Sequence, residues 1–215
     1  MTWWLVGLAM AGGFTHRNTR QPLPARWVER PLVLPAGWTQ VDVQVDADAV
    51  AGRGRLSLGP AAELRAAGRT DGTPPTVGAA LALGRREAPA RSASLDLDWT
   101  APALGAPSPE HRIGLALPVR HQWGGSRWTA GPVADVGSIG FDTRIGLRGE
   151  AGLQAGPLGF TADATGWYAG SGGPRSTSWA GALGGFVQLN RALRVHGAAR
   201  VGDHDGAFAG LELSL

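Results

Sequence analysis

Apolar and polar residues alternate with a period of two along most of the chain after Trp38. In residues 38–48, Val41, Val43 and Val45 fall on one side of the alternation, and glutamine or aspartate falls on the other. A period of two places each set on one face of a β-strand, whereas a helix would mix the two sets. This stretch is therefore predicted to be a strand with one apolar and one polar face.

The same alternation recurs to the end of the sequence and predicts a series of strands. The stretches are residues 90–100, 111–119, 138–153, 160–168, 179–189, 192–201 and 206–215. Pro118 predicts a strand end, an edge or a bulge, because proline cannot donate a ladder hydrogen bond. The connections are of two kinds, tight at 59–60, 155–157 and 190–191, and longer or glycine-rich at 68–76, 101–111, 168–178 and 202–206.

An alternation of short turns and longer loops is typical of bacterial β-barrels. The predicted fold is all-β, an antiparallel transmembrane β-barrel with short periplasmic turns and longer extracellular loops. We expect about twelve strands, with ten as the alternative because residues 120–136 are ambiguous. A secreted soluble β-barrel or sandwich shows the same alternation and remains the rival fold.

Three features favour an apolar face that meets lipid. The polar faces hold acids and arginines together with glycine and alanine, as expected of a hydrated lumen. The sequence ends within an alternating strand, with Leu211, Leu213 and Leu215 at its apolar positions. Aromatic residues fall near strand ends, as in the girdles at membrane interfaces, and the predicted set is Trp38, Trp99, Trp128, Phe160, Tyr168 and Trp179.

The last strand resembles the signal read by the outer-membrane assembly machinery, although Leu215 stands where an aromatic residue is usual. The stretches ERPLVLPAGW and LSLGPAAELRAAG, and the texture of residues 38–215, resemble small porin-like outer-membrane barrels of Gram-negative bacteria. The resemblance implies location in the outer membrane. It also implies contacts with outer-membrane lipid, with the barrel assembly machinery and, as a further option, with other envelope proteins.

The first residues form a short apolar run that ends in Ala9-Met10-Ala11 and fits a secretory cleavage pattern. Residues 1–11 are therefore predicted to be a signal peptide. Residues 12–37 are proline-rich and are predicted to be an extended periplasmic lead-in, because their prolines prevent a regular helix or central strand. Residues 38–215 form the predicted barrel.

Composition narrows the function classes further. The net charge is +3, but the arginines are scattered among acids and form no basic stripe, which argues against nucleic acid as a partner. Cysteine is absent, so the sequence contains no disulfide framework and no thiolate nucleophile or metal ligand. No apolar run reaches the roughly 18 residues that a membrane-spanning helix needs.

The polar faces of the predicted strands carry ten acids and ten arginines. This balance argues against a pore that selects ions by a ring of like charge. Two arrangements of these charges remain. Either the acids lie on one wall and the arginines on the opposite wall, which would produce an electric field across the lumen, or the two signs form an ion-pair network across the lumen. The predicted inward residues are Asp42, Asp46, Glu63, Asp96, Asp98, Asp135, Asp142, Glu150, Asp163, Glu212, Arg53, Arg55, Arg65, Arg112, Arg120, Arg127, Arg144, Arg148, Arg194 and Arg200.

No recognisable catalytic, cofactor-binding or nucleotide motif occurs, so neither an enzyme nor a cofactor is predicted. Asp203, His204 and Asp205 could hold a divalent cation, but Gly-Asp-His-Asp-Gly is also typical of a polar hairpin loop, and no metal site is predicted. The leading hypothesis is porin-like passage of small solutes. The alternatives are a non-conducting barrel that anchors a periplasmic or cell-surface complex, and a secreted binding module.

Overall fold

A computed structural model describes residues 22–83, 91–102, 110–138, 142–169, 176–202 and 205–215. These residues form thirteen β-strands and one 3-10 turn, Trp27–Glu29. The strands are β1 Thr39–Asp46, β2 Val50–Ser57, β3 Ala62–Arg69, β4 Thr76–Leu83, β5 Arg91–Thr100, β6 Arg112–Ala116, β7 Val119–Trp123, β8 Ser126–Gly137, β9 Thr143–Ala155, β10 Leu158–Ala169, β11 Ser176–Gln188, β12 Leu193–Gly202 and β13 Gly206–Ser214. No helix among the described residues is long and apolar enough to cross a membrane.

The strands form one closed antiparallel barrel. β1 pairs with both β2 and β13, and β4 pairs with β5, so no edge of the sheet is left open. β6 and β7 follow one another between β5 and β8 and share one of twelve positions around the ring. The prediction of about twelve antiparallel strands is confirmed, and the ambiguous stretch 120–136 belongs to β7, a tight turn and β8.

The break between β6 and β7 falls at Leu117 and Pro118. Pro118 has no N–H, although its carbonyl accepts a hydrogen bond from the Ser94 N–H at 3.1 Å. Gly131 faces this break, and a Cβ on Gly131 would come within 2.2 Å of the Leu117 carbonyl oxygen. The strand therefore ends where proline requires it, and the glycine on β8 gives the displaced backbone room.

The two ends of the barrel differ in their connections. At the end where Thr39 and Leu215 meet, which we call the turn end, residues 124–125 and 156–157 make two-residue turns. Gly124 and Gly156 adopt φ of 58° and 59° there, a left-handed conformation that glycine reaches without strain. β5 ends at Thr100 and β6 begins at Arg112 at the opposite end of the barrel, which we call the loop end.

Burial is inverted relative to a soluble protein. The largest exposed fractions on the strands include those of Leu147 at 70% and Leu183 at 69%, whereas Glu63 and Ser94 are completely buried. Because neighbouring residues on a strand point to opposite faces, the apolar set faces outward and the polar set faces the lumen. A soluble β-barrel would show the opposite arrangement.

The sequence predicts an extended periplasmic lead-in over the proline-rich stretch 12–37. Its described part, residues 22–37, enters the lumen at the turn end, and we call it the lumen segment. Its prolines leave it without helix or strand beyond the 3-10 turn, as expected. The apolar residues between the prolines are buried inside the barrel, where Val28 is fully buried and Val33 and Leu34 are 2% exposed.

Candidate functional site

Side chains on the barrel wall hold the lumen segment through its backbone. The Trp27 N–H donates to Gln188 Oε1 at 3.0 Å, and the Leu34 N–H donates to Glu63 Oε2 at 2.6 Å. The Val28 N–H donates to Gln154 Oε1 at 3.3 Å. These acceptors stand on β11, β3 and β9, so the segment is held from several sides of the lumen.

Arginines on the wall donate to carbonyl groups of the same segment. Arg127 donates to the Trp27 carbonyl at 3.2 Å. Arg55 donates to the Leu32 carbonyl, and Arg120 donates to the Arg30 carbonyl. A backbone without regular secondary structure needs such donors when it is buried, because unpaired carbonyl groups are costly away from water.

Trp27 is the main side-chain anchor of the lumen segment and is only 7% exposed. The guanidinium carbon of Arg127 lies 3.2 Å from the centre of its ring, and that of Arg194 lies 4.4 Å away. Phe186 packs beside the ring with centroids 5.0 Å apart. Cation–π contacts of this kind gain strength when they are removed from water.

Arg30 of the lumen segment enters an ion-pair cluster with two predicted inward residues. Its Nη1 lies 2.6 Å from Glu212 Oε1, and Arg194 Nη2 lies 2.5 Å from Glu212 Oε2. Burial lowers the pKa of Arg30, and the nearby Glu212 carboxylate opposes that shift. The Glu212 carboxylate thus pairs with one arginine of the lumen segment and one arginine of the barrel wall.

A second cluster surrounds Glu63. Its carboxylate lies 2.9 Å from Arg55 Nη2 and 2.5 Å from Arg65 Nε, and Arg65 also pairs with Asp96 at 2.6 Å. Arg127 and Glu150, two further predicted inward residues, pair with each other on the wall. Acids and arginines are therefore intermixed on neighbouring strands in the half of the lumen that the segment occupies.

Ion pairs also join neighbouring strands near the loop end. Arg144 contacts Asp135 through two hydrogen bonds of 3.0 and 2.7 Å. Arg112 pairs with Asp135 at 2.5 Å and with Asp142 at 2.7 Å. Asp142 is the nearest same-face carboxylate to Arg144 along the chain, but the partner of Arg144 is Asp135 across the β8–β9 ladder, because directly opposed positions are closer than successive same-face positions.

Asp46 and Asp42 complete the paired residues of the wall. Asp46 accepts from Arg69 at 2.9 Å and from Arg200 at 3.3 Å. Asp42 lies 2.7 Å from His196 Nε2. These contacts bring β1, β3 and β12 together on one side of the lumen.

Apart from Arg120, which donates to the Arg30 carbonyl, four inward residues make no ion pair within 4.0 Å among the described residues. They are Arg53, Arg148, Asp98 and Asp163, which we call the central charge set. Arg53 on β2 and Arg148 on β9 stand six positions apart in the ring of twelve, on opposite walls. Their charges repel one another, and both interact with Asp163. Arg53, Arg148 and Asp163 are exposed although they point inward, so this part of the lumen is open to water.

The predicted aromatic residues fall into two groups. Trp128 and Phe160 are 51% and 69% exposed near the turn end, and Trp38 lies half-buried directly before β1. Trp99, Tyr168 and Trp179 lie outward near the loop end with exposed fractions of 41%, 39% and 57%. The predicted assembly residues Leu211, Leu213 and Leu215 face outward along and just beyond β13, which closes the barrel against β1.

Sequence reasoning missed two groups of residues. Trp123, at the end of β7, is 83% exposed in the outer wall, and its position beside a Gly-Gly turn was the available signal. It also missed Trp27 and Arg30, whose stretch carries no periodic pattern. Asp203 and His204 lie outside the described residues, within which no group of three potential ligands is arranged to hold a metal ion.

Comparison with known proteins supports the fold. No protein-family profile matches the sequence, and no curated protein matches it significantly. Among solved structures, "NanC porin structure in rhombohedral crystal form" aligns with a TM-score of 0.57 over 82% of this chain and 97% of that chain, at 8% identity. The chain therefore has a porin-like β-barrel fold, a class that its closed ring and inverted burial also define.

Proposed function

We propose that this protein is a non-enzymatic outer-membrane porin of a Gram-negative bacterium that passes small polar solutes. The observation that carries the proposal is the water-accessible central charge set inside a barrel whose outside is apolar. The similarity to a solved porin structure supports the same function. In this proposal the turn end faces the periplasm and the loop end faces outward, as in bacterial barrels.

At the level of the central charge set, the lumen presents both positively and negatively charged side chains to a solute. Arg53 and Arg148 approach from opposite walls, and Asp98 and Asp163 contribute carboxylates nearby. Such a field orients dipolar or charged solutes without excluding one sign of ion. The lumen segment then narrows the path at the turn end, where Trp27 stands between Arg127 and Arg194.

A second function is favoured by a different observation. The lumen segment is tied to β2, β3, β7, β8, β9, β11 and β13, and the surrounding acids and arginines are intermixed rather than separated onto two walls. Intermixing is the pattern expected of a filled, stiffened interior. A non-conducting barrel that anchors an envelope complex is therefore the alternative proposal.

Single-channel recording in a planar bilayer separates these functions. We expect stable conductance from the wild type and a larger conductance from Trp27→Ala, because the segment loses its main anchor. Trp179→Ala changes an outward tryptophan at the loop end and is the matched control, with conductance expected to stay unchanged. Silence of the wild type and Trp27→Ala at all voltages would overturn the porin proposal and favour the anchor.

Membrane insertion is tested independently of conductance. A folded outer-membrane barrel migrates differently on a gel before and after boiling, and we expect this shift for the purified chain. A secreted soluble module would show no shift and would appear in the periplasmic fraction. Enzymatic activity has its own readout, since hydrolysis of added lipids by the folded chain would contradict the non-enzymatic part of the proposal.

A further inference from the structure

One charged residue of the described strands lies on the outer wall of the barrel. Among the described strands, every charged side chain stands at an inward position except that of Arg91, the first residue of β5. His121 on β7 is its direct partner in the strand ladder and also faces outward. A guanidinium group on a largely apolar wall needs a counter-charge or water, because charge in contact with lipid chains is costly.

The neighbours of Arg91 form a ready contact surface. His121 is opposed to Trp128 on the next strand, and their rings lie 5.6 Å apart at 38°. Arg91, His121 and Trp128 therefore stand side by side on three neighbouring positions of the barrel. Trp123, 83% exposed, marks the edge of this surface at the adjacent turn.

The height of the surface on the barrel indicates its environment. Arg91 begins its strand at the turn end, and Trp128 is the third residue of β8 at the same end. Phe160 occupies the corresponding position on β10 and is 69% exposed. Tryptophan and phenylalanine at a common level near strand ends mark the zone where lipid headgroups meet acyl chains.

We propose that Arg91, His121 and Trp128 bind the phosphate of a glycerophospholipid in the leaflet at the turn end. The planar guanidinium of Arg91 presents paired donors that match phosphate oxygens. The ring of Trp128 lies against the glycerol and upper acyl region, and His121 fills the gap between them and offers a further ring N–H. The proposal rests on the proposed function in one respect, that the barrel spans a membrane.

The test uses the full chain folded in detergent, with bound lipids counted by native mass spectrometry. Phosphatidylglycerol is compared with digalactosyldiacylglycerol, which has the same diacylglycerol body but no phosphate. We expect the wild type to retain phosphatidylglycerol in preference. Arg91→Gln should weaken that retention about fivefold, the change expected for one basic residue near a lipid surface.

Two further variants keep the result interpretable. Arg91→Lys retains the charge but not the paired donors, so it should weaken retention only about twofold. Arg191→Gln removes an exposed arginine from the turn 189–192 at the same end and should have no effect. The boiling-dependent gel shift shows which variants are folded.

Several outcomes would overturn the proposal. These are equal retention of both lipids by the wild type, unchanged retention by Arg91→Gln, and full displacement of the lipid by inorganic phosphate alone. A wild-type dimer that Arg91→Gln dissociates would assign the surface to a second copy of the chain. Failure of the wild type to insert into vesicles would instead refute the proposed function, whereas insertion without lipid preference would refute only this inference.

Discussion

Gly152 lies directly against Trp27, and a Cβ on Gly152 would come within 2.8 Å of Trp27 Cζ3. The absence of a side chain on β9 thus makes room for the ring that anchors the lumen segment. Arg127 covers the ring at 3.2 Å from its centre, so the ring has little freedom to move away. A glycine of the barrel wall therefore determines whether the lumen segment can pack where it does.

Gly152→Val is expected to displace Trp27 and loosen the lumen segment. Forcing extra carbon atoms into a packed contact costs about 1–3 kcal/mol, so the melting temperature should fall. The conductance should rise, because the loosened lumen segment narrows the turn end less. The measurement is single-channel conductance together with the melting temperature. Gly149→Val is the control on the same strand, since the nearest atom to its added Cβ is 4.0 Å away. Equal conductance of the two variants would contradict this account.

The strands could be predicted from the sequence because period-two alternation is a local signal. The alternation around Val41 and Val43 and the effect of Pro118 both depend on near neighbours along the chain, and β1 and the β6–β7 break follow from them. Barrel closure follows as well, since an apolar outer face leaves no place for an open edge.

The position of the lumen segment could not be predicted in the same way. Its partners lie far along the chain, with Trp27 and Gln188 separated by 161 residues and Arg30 and Glu212 by 182. Prolines identified the segment as irregular, but irregular backbone has no periodicity that would indicate its surroundings. The choice between Asp135 and Asp142 as the partner of Arg144 depends on strand register, which one strand's pattern does not contain.

The outward and inward faces of β9 should respond in opposite ways to charge. Leu147 is 70% exposed on the outer wall, and Arg148 is the next residue on the inward face. Leu147→Arg should block assembly, because arginine near the middle of a lipid-facing wall costs about 2–4 kcal/mol. Arg148→Leu should still insert. The boiling-dependent gel shift after refolding into vesicles measures both, and equal damage or the reverse order would rule out the assigned faces.

The central charge set should control permeation with little effect on stability. Arg53 and Arg148 make no ion pair among the described residues, so the double variant Arg53→Ala/Arg148→Ala does not leave a carboxylate without its ion-pair partner. We expect altered conductance or ion preference with a nearly unchanged melting temperature. Arg144→Ala is the contrasting variant, because it removes two of the three hydrogen bonds that Asp135 accepts from arginines, and it should lower the melting temperature. A double variant that unfolds early and stays silent would show that the lumen is packed rather than open.

Glu63 should connect the stability of the wall to the position of the lumen segment. Its carboxylate is fully buried and accepts from the Leu34 N–H, Arg55 and Arg65. Glu63→Gln keeps the shape but replaces an anion with an amide, which can accept through only one of its two heavy atoms. Arg65 keeps Asp96 as a partner at 2.6 Å, so the loss should be about 2 kcal/mol, below the range for a fully broken buried pair.

The matched control for Glu63 is Asp71 in the connection between β3 and β4. Hydrogen bonds from Thr73, together with the neighbouring Arg69, hold the pKa of the Asp71 carboxyl well below its ordinary value, yet the group is exposed. Asp71→Asn should leave the melting temperature and the conductance unchanged, because exposed ion pairs contribute little to stability. Glu63→Gln should lower the melting temperature and raise the conductance together, since the same carboxylate holds both the arginines and the backbone at Leu34. A change in stability without any change in conductance would separate the wall cluster from the segment and refute the link between them.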